Sequence, residues 1–213
     1  MYGKDVEQSD AKARKWFNLA AKSVVPAVRY KIGRLYETGV LYKKDINKAV
    51  FHYEFAASKG EMYAINNLAI LYLNGTGVSK DVDKGIALFN QAAESGSVEA
   101  QVNLGIYYLN AKQKDHSIAN ALKWFTEAGK DNNPVALYYL AEYAFAEKDY
   151  VKAFDYYLIS AQQSHSDAQL KLAMLYAKGL GVEKNNNAAN IWLTKAAKLG
   201  NKKAIAMLQG SGK

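Results

Sequence analysis

The sequence predicts an all-α chain: a right-handed α-solenoid of about five helix–turn–helix repeats of 36 residues, with half-repeats at both ends. Three observations carry this. A step of 36 residues from Gly60 finds Gly96 and Asn132 forwards and Val24 backwards, and then 32 residues on Ser164 and 36 on Gly200. Apolar residues recur at helical spacing, as in Ala64, Leu68, Leu71 and Tyr72, which share one side of a helix. Between the two helices of a unit lies a glycine-rich turn such as Gly75-Thr76-Gly77, where the chain can adopt positive φ and reverse. Repetition at this period marks an array whose core grows along the chain, so length alone does not set the domain count.

The whole of residues 1–213 is therefore read as one array. Residues 1–24 hold only a second-helix pattern, with Trp16, Phe17, Ala20 and Ala21. Its missing first helix would leave Trp16 and Phe17 partly uncovered, so the natural chain is expected to extend upstream or to be capped by a partner. Unit 25–60 opens with Pro26, tolerated at a helix start because that N–H is unpaired anyway. It continues through Ile32-Gly33, Tyr36, Lys48-Ala49 and Ala56-Ala57. Unit 61–96 is the most regular.

Unit 97–132 keeps Leu104-Gly105, Tyr108 and Trp124-Phe125, but Ala111 and Gln113 replace the turn glycines. Unit 133–164 repeats the proline as Pro134 and carries Leu140-Ala141 and Tyr156-Tyr157. Its turn is four residues shorter. Unit 165–200 restores Gly179-Leu180-Gly181-Val182, and residues 201–213 begin a further first helix with Ala204 and Leu208, expected to fray as a cap.

Packing explains the recurring residue types. Small residues at Gly33, Ala69, Gly105, Ala141 and Ala173 admit a neighbouring helix, where a larger side chain would overpack. Phe17, Tyr53, Phe89, Phe125 and Tyr157 are expected to pack onto the next unit.

Composition excludes several function classes. The net charge is +8, but the lysines are scattered over helices and loops and form no stripe at one repeat position, as a nucleic-acid footprint would require. There is no cysteine, hence no disulfide or thiolate metal site. No apolar run approaches the ~18–20 residues that span a bilayer. No secretory signal segment is present in this chain. His52, His116 and His165 lie at no metal-ligand spacing, and His52 occupies a slot where other units carry Trp16, Trp124 or Trp192. The glycine turns follow helices and lack a P-loop lysine. No catalytic, metal or cofactor-binding residue is assigned.

A binding face is assigned instead. Opposite the core direction of the first helices lie Tyr30, Arg34, Tyr63, Asn66, Ile70, Val102, Ile106, Tyr138, Glu142, Leu170 and Met174. This set is largely apolar and aromatic, which tends to mark an interaction site. Tyr30, Asn66 and Tyr138 are placed in a concave groove. For Ile70, Ile106 and Met174 a second reading stands, in which successive first helices bury them against each other.

The repeated pattern Ala-x3-Leu-Gly-x2-Tyr-x2-Gly-x-Gly-Val-x2-Asp-x2-Lys-Ala-x2-Trp-x3-Ala-Ala-x2-Gly resembles the Sel-one-like repeat (SLR) family, relatives of the tetratricopeptide repeats. Units 61–96 and 165–200 match it best, and unit 133–164 departs in its short turn. The resemblance implies a non-enzymatic adaptor holding a protein or peptide partner in its groove. It also implies a bacterial protein of the periplasm, envelope or secreted fraction, in many cases in contact with host cells. Two other functions fit the same residues: glycan or peptidoglycan binding through the tyrosines, and self-association through exposed repeat ends.

Overall fold

The computed structural model describes residues 12, 15, 16, 19–40, 43–110 and 117–210, and the expectations for Phe17, Ala111, Gln113 and His116 lie outside them. Eleven helices and no strand occur among the described residues. They are α1 Pro26–Thr38, α2 Ile46–Ser58, α3 Met62–Asn74, α4 Val82–Glu94, α5 Val98–Leu109, α6 Ile118–Lys130, α7 Pro134–Ala146, α8 Tyr150–Gln162, α9 Ser166–Lys178, α10 Asn186–Lys198 and α11 Lys202–Gly210. The helices alternate as first and second members of hairpins. They fall into two compact units, residues 1–100 and 101–213.

Three of the hairpins close on a glycine. A left-handed glycine ends α1, α3 and α9, at Gly39, Gly75 and Gly179, and its N–H donates back to Leu35, Leu71 or Leu175. Each second helix is then capped by a side chain: Asp45, Asp81, Ser117, Asp149 and Asn185 each accept from the backbone N–H three residues on. The backbone N–H groups of Asp45, Asp81, Ser117 and Asn185 donate to the carbonyls of Tyr36, Tyr72, Tyr108 and Tyr176. The recurring tyrosine thus marks the point at which the two helices of a hairpin are tied. In the short fourth turn Asp149 donates to Ala144 instead, and Lys148 takes the left-handed conformation with φ 64°.

Cores form within and between hairpins. In the first unit Ala49, Tyr53, Ala56, Ala64, Leu68 and Leu71 form one buried cluster. In the second, Ala141, Tyr157, Ala161, Ala168, Leu172 and Leu175 form its counterpart. Tyr53, Phe89, Phe125 and Tyr157 are all enclosed, and full burial of such a ring is worth roughly 1.5–3 kcal/mol. Gly33 and Gly105 exist to admit them: a Cβ on either would stand 2.5 Å or 2.4 Å from the ring of Tyr53 or Phe125. Trp16, by contrast, is 72% exposed.

Candidate partner-binding face

Tyr53 and Tyr157 differ from Phe89 and Phe125 by one hydroxyl, and a buried hydroxyl needs a partner. Each finds a carboxylate on the preceding first helix, and each organises a polar cluster around it.

In the first unit the Tyr53 hydroxyl donates to Glu37 Oε2 at 2.6 Å and accepts from Asn67 Nδ2 at 3.2 Å. Burial first, and then the bond to Glu37, raise its pKa. Tyr30 packs against the Tyr53 ring at 5.9 Å and stacks on Tyr63 at 5.6 Å. Arg34 Nη1 donates to the Tyr30 hydroxyl at 3.3 Å, and its guanidinium reaches Glu37 at 3.8 Å. The bond to Tyr30 holds the Arg34 pKa above its ordinary value. Tyr63 is 49% exposed and Arg34 is exposed, so this cluster offers an aromatic face and a cation to solvent.

In the second unit the Tyr157 hydroxyl donates to Glu142, which also pairs with Lys171 Nζ at 2.7 Å. Tyr138 lies 6.0 Å from the Tyr157 ring and stacks on His165 at 4.8 Å. Burial, then the charge of Glu142, raises the Tyr138 pKa. His165 itself caps α9, its Nδ1 accepting from the Ala168 N–H at 3.2 Å. Tyr138 and Glu142 stand three repeats beyond Tyr30 and Arg34, so the same slots carry a cation in one unit and a carboxylate in the other.

The structure sorts the sequence-derived residues. Tyr30, Arg34, Tyr63, Tyr138 and Glu142 enter the two clusters. Ile70 and Ile106 are exposed, and Met174 is half-buried. Asn66, Val102 and Leu170 are buried, which corrects their placement on an open face. The reason is visible at Leu170, which shares a cluster with Leu193, Ala196 and Ala204, residues of α10 and α11. A first helix is covered on two sides, so the direction opposite its own hairpin partner is not all solvent.

Sequence reasoning missed Glu37, Tyr53, Asn67, Tyr157, His165 and Lys171 as members of these clusters. The signal was present in the step of the repeat: tyrosine at 53 and 157 where phenylalanine stands at 89 and 125. His52 is buried and stacked on Tyr36 at 5.6 Å, in the packing role that its slot suggests. Among the described residues no group of three His, Cys, Asp or Glu converges as for a metal ion, and no helix is long and apolar enough to cross a membrane.

The Sel1 repeat family model matches residues 1–23, 26–61, 63–97, 98–133, 134–165 and 166–201. A Sel1 repeat protein from Oxalobacter formigenes has a similar structure, with 31% identity and a TM-score of 0.80 over 84% of this chain and 75% of that one. A protective antigen with an SLR fold, present in uropathogenic Escherichia coli strains, is 27% identical with a TM-score of 0.80. That match covers 90% of this chain and only 42% of the antigen. A Sel1 repeat protein from Klebsiella pneumoniae, 20% identical with a TM-score of 0.53, shares the fold over 88% of this chain and 93% of its own. No curated protein sequence matches. With six copies of the repeat matched over nearly its whole length, this chain belongs to the Sel1 repeat family, a solenoid fold that is typically a non-enzymatic scaffold for protein–protein interaction.

Proposed function

We propose that the chain is an adaptor that holds a segment of a protein partner on the first-helix faces of its repeats. Tyr30, Tyr63 and Arg34 form one such face in the first unit, and Tyr138, Glu142 and Lys171 form another in the second, each considered by itself. The observation that supports this is the pair of clusters at the same repeat slots, each with a tyrosine held by neighbours and an ionic group at its edge. Pre-ordered aromatic groups lose little conformational freedom on binding, which favours them as anchors. The cation Arg34 in the first face and the carboxylate Glu142 in the second would each select an opposite charge on what that face binds.

The similar structures from bacteria, one of them a protective antigen of uropathogenic strains, support a bacterial role in host contact. The test is affinity capture from the native bacterium with wild type beside Arg34→Ala/Tyr63→Ala and Lys171→Ala variants. These side chains are exposed or at an edge, whereas Tyr138→Ala would also remove core packing. A protein retained by wild type and lost by the variants, at unchanged helicity, supports the adaptor reading. Equal capture by all removes these faces from it, and capture of glycan in place of protein favours the carbohydrate alternative.

A further inference from the structure

The last turn of α10 departs from the charge pattern of α6. In α6 the slots that follow Trp124 by one turn and two hold Glu127 and Lys130, which pair with each other at 2.6 Å. In α10 the same slots after Trp192 hold Lys195 and Lys198. Like charges three residues apart on a helix repel. Among the described residues neither lysine forms an ion pair. Lys195 lies instead over the Trp192 ring, its ammonium 4.0 Å from the centroid.

Both lysines line a cavity of about 370 Å³ whose walls include Ala161, Gln169, Trp192 and Leu199. Gln169 is buried; its Nε2 donates to the Ala161 carbonyl at 3.0 Å, and its Oε1 has no partner. Among the described residues no carboxylate lines this cavity. Asp167, the acidic residue of α9, is held by Asn201 Nδ2 at 2.8 Å. Residues 184–213 contain six lysines and no Asp or Glu, so no side chain of α10 or α11 supplies the missing charge. Helix ends do not cancel it either. The carboxyl ends of α8 and α10 bring about half a negative charge each, and the amino end of α9 about half a positive one, against two full positive charges.

We propose that the cavity takes a carboxylate side chain from an acidic segment of a partner protein, held between Lys195 and Lys198. The partner supplies in trans the carboxylate that Glu127 supplies within α6. Lys195, laid on the indole, has little freedom left to lose on binding. An N–H of the same segment is the donor that Gln169 Oε1 lacks. The cavity shares no residue with the Tyr30 and Tyr138 clusters, and the proposal does not depend on the function given above.

The test titrates an acetylated, amidated peptide, Ala-Glu-Asp-Glu-Leu, into the full chain at low salt. NMR follows the Trp192 indole N–H and the backbone amides of Lys195 and Lys198. The expected result is saturable shifts at these groups, absent when the peptide acids are replaced by their amides. Lys195→Glu restores the α6 arrangement, so the helix should stay folded by circular dichroism while affinity falls at least tenfold. Gln169→Leu, which copies Leu137 at the same slot, should weaken binding severalfold. Lys178→Glu, the same charge reversal at an exposed position outside the cavity, should change it less than twofold. Arg34→Ala/Tyr63→Ala should not change it, so the two proposals can fail separately. Unmoved resonances, equal binding by Lys195→Glu, or an equal loss with Lys178→Glu would overturn the proposal. Saturation by phosphatidylglycerol vesicles but not by the peptide would overturn it in favour of a lipid surface.

Discussion

Gly181 stands so close to the start of α8 that a Cβ added to it would lie 2.0 Å from the carbonyl oxygen of Tyr150. Its φ of +70° is also one that L side chains rarely adopt. Both costs fall on backbone, which cannot rotate away. Gly181→Ala should destabilise the second unit by about 3 kcal/mol, combining left-handed strain with overpacking. Gly60→Ala is the control, since φ there is +82° but nothing lies within 4 Å of the added carbon. It should cost only about 1 kcal/mol. Urea unfolding, with hydrogen exchange to localise the effect in α8–α10, measures both; equal losses would show that the contact with Tyr150 carries no energy.

The link between repeats imposes a second left-handed position. Gly60, Gly96 and Gly200 occupy it, and Asn132 and Ser164 occupy it in the third and fourth repeats with φ of 54° and 66°. Asparagine tolerates this conformation through its short polar side chain, and serine does so less well. Ser164→Gly should therefore stabilise the chain by about 0.5–1 kcal/mol, net of the extra freedom glycine gives the unfolded state. Asn132→Gly should gain less. A lower melting temperature for Ser164→Gly would show that the Ser164 side chain contributes contacts that outweigh its backbone strain.

Both positions could be read from the sequence, because a repeat displays its own exceptions. The step from Gly60 finds Asn132 and Ser164 without coordinates, and the same step exposes the lost turn residues and the tyrosines at 53 and 157. The helix pairs were legible for the same reason: every cap and every tie to a tyrosine carbonyl is local and recurs. The proposed face is legible in part. Burial of Asn66, Val102 and Leu170 comes from neighbouring helices, and helical periodicity within one repeat says nothing about those neighbours. The contact of Glu142 with Lys171 spans 29 residues, and its partners belong to different repeats.

One buried and one half-buried histidine make stability depend on pH. Burial, then the charge of Arg29, lowers the His52 pKa from 6.5 to about 4. Burial also lowers that of His165, against an opposing pull from Asp167. With the folded-state pKa depressed, the unfolded chain takes up the proton first, so stability is full above pH 6.5 and falls as pH drops toward 4. At His165 protonation also removes the acceptor that caps α9. Melting temperature should fall between pH 7 and 5. His52→Leu with His165→Asn should flatten that profile, since Leu88 and Asn133 fill the equivalent slots in other repeats. A profile unchanged by the double variant would place the pH dependence elsewhere.

Glu142 and Lys171 form an ion pair whose two halves should not be equally important. Lys171 is about one-third exposed, and removing it leaves Glu142 with water and the Tyr157 hydroxyl. Lys171→Ala should therefore cost under about 1 kcal/mol, as for other accessible pairs. Removing Glu142 strands the hydroxyl of Tyr157, a residue with no exposed surface, and the lysine loses its partner as well. Glu142→Ala should cost about 1–3 kcal/mol. Tyr157→Phe, which copies Phe89 and Phe125, removes the demand for an acceptor. In that background the cost of Glu142→Ala should shrink to that of Lys171→Ala. A double-mutant cycle on urea unfolding reads the difference directly. No coupling between positions 142 and 157 would mean that the carboxylate serves only the lysine, and that the cluster is held by ring packing alone.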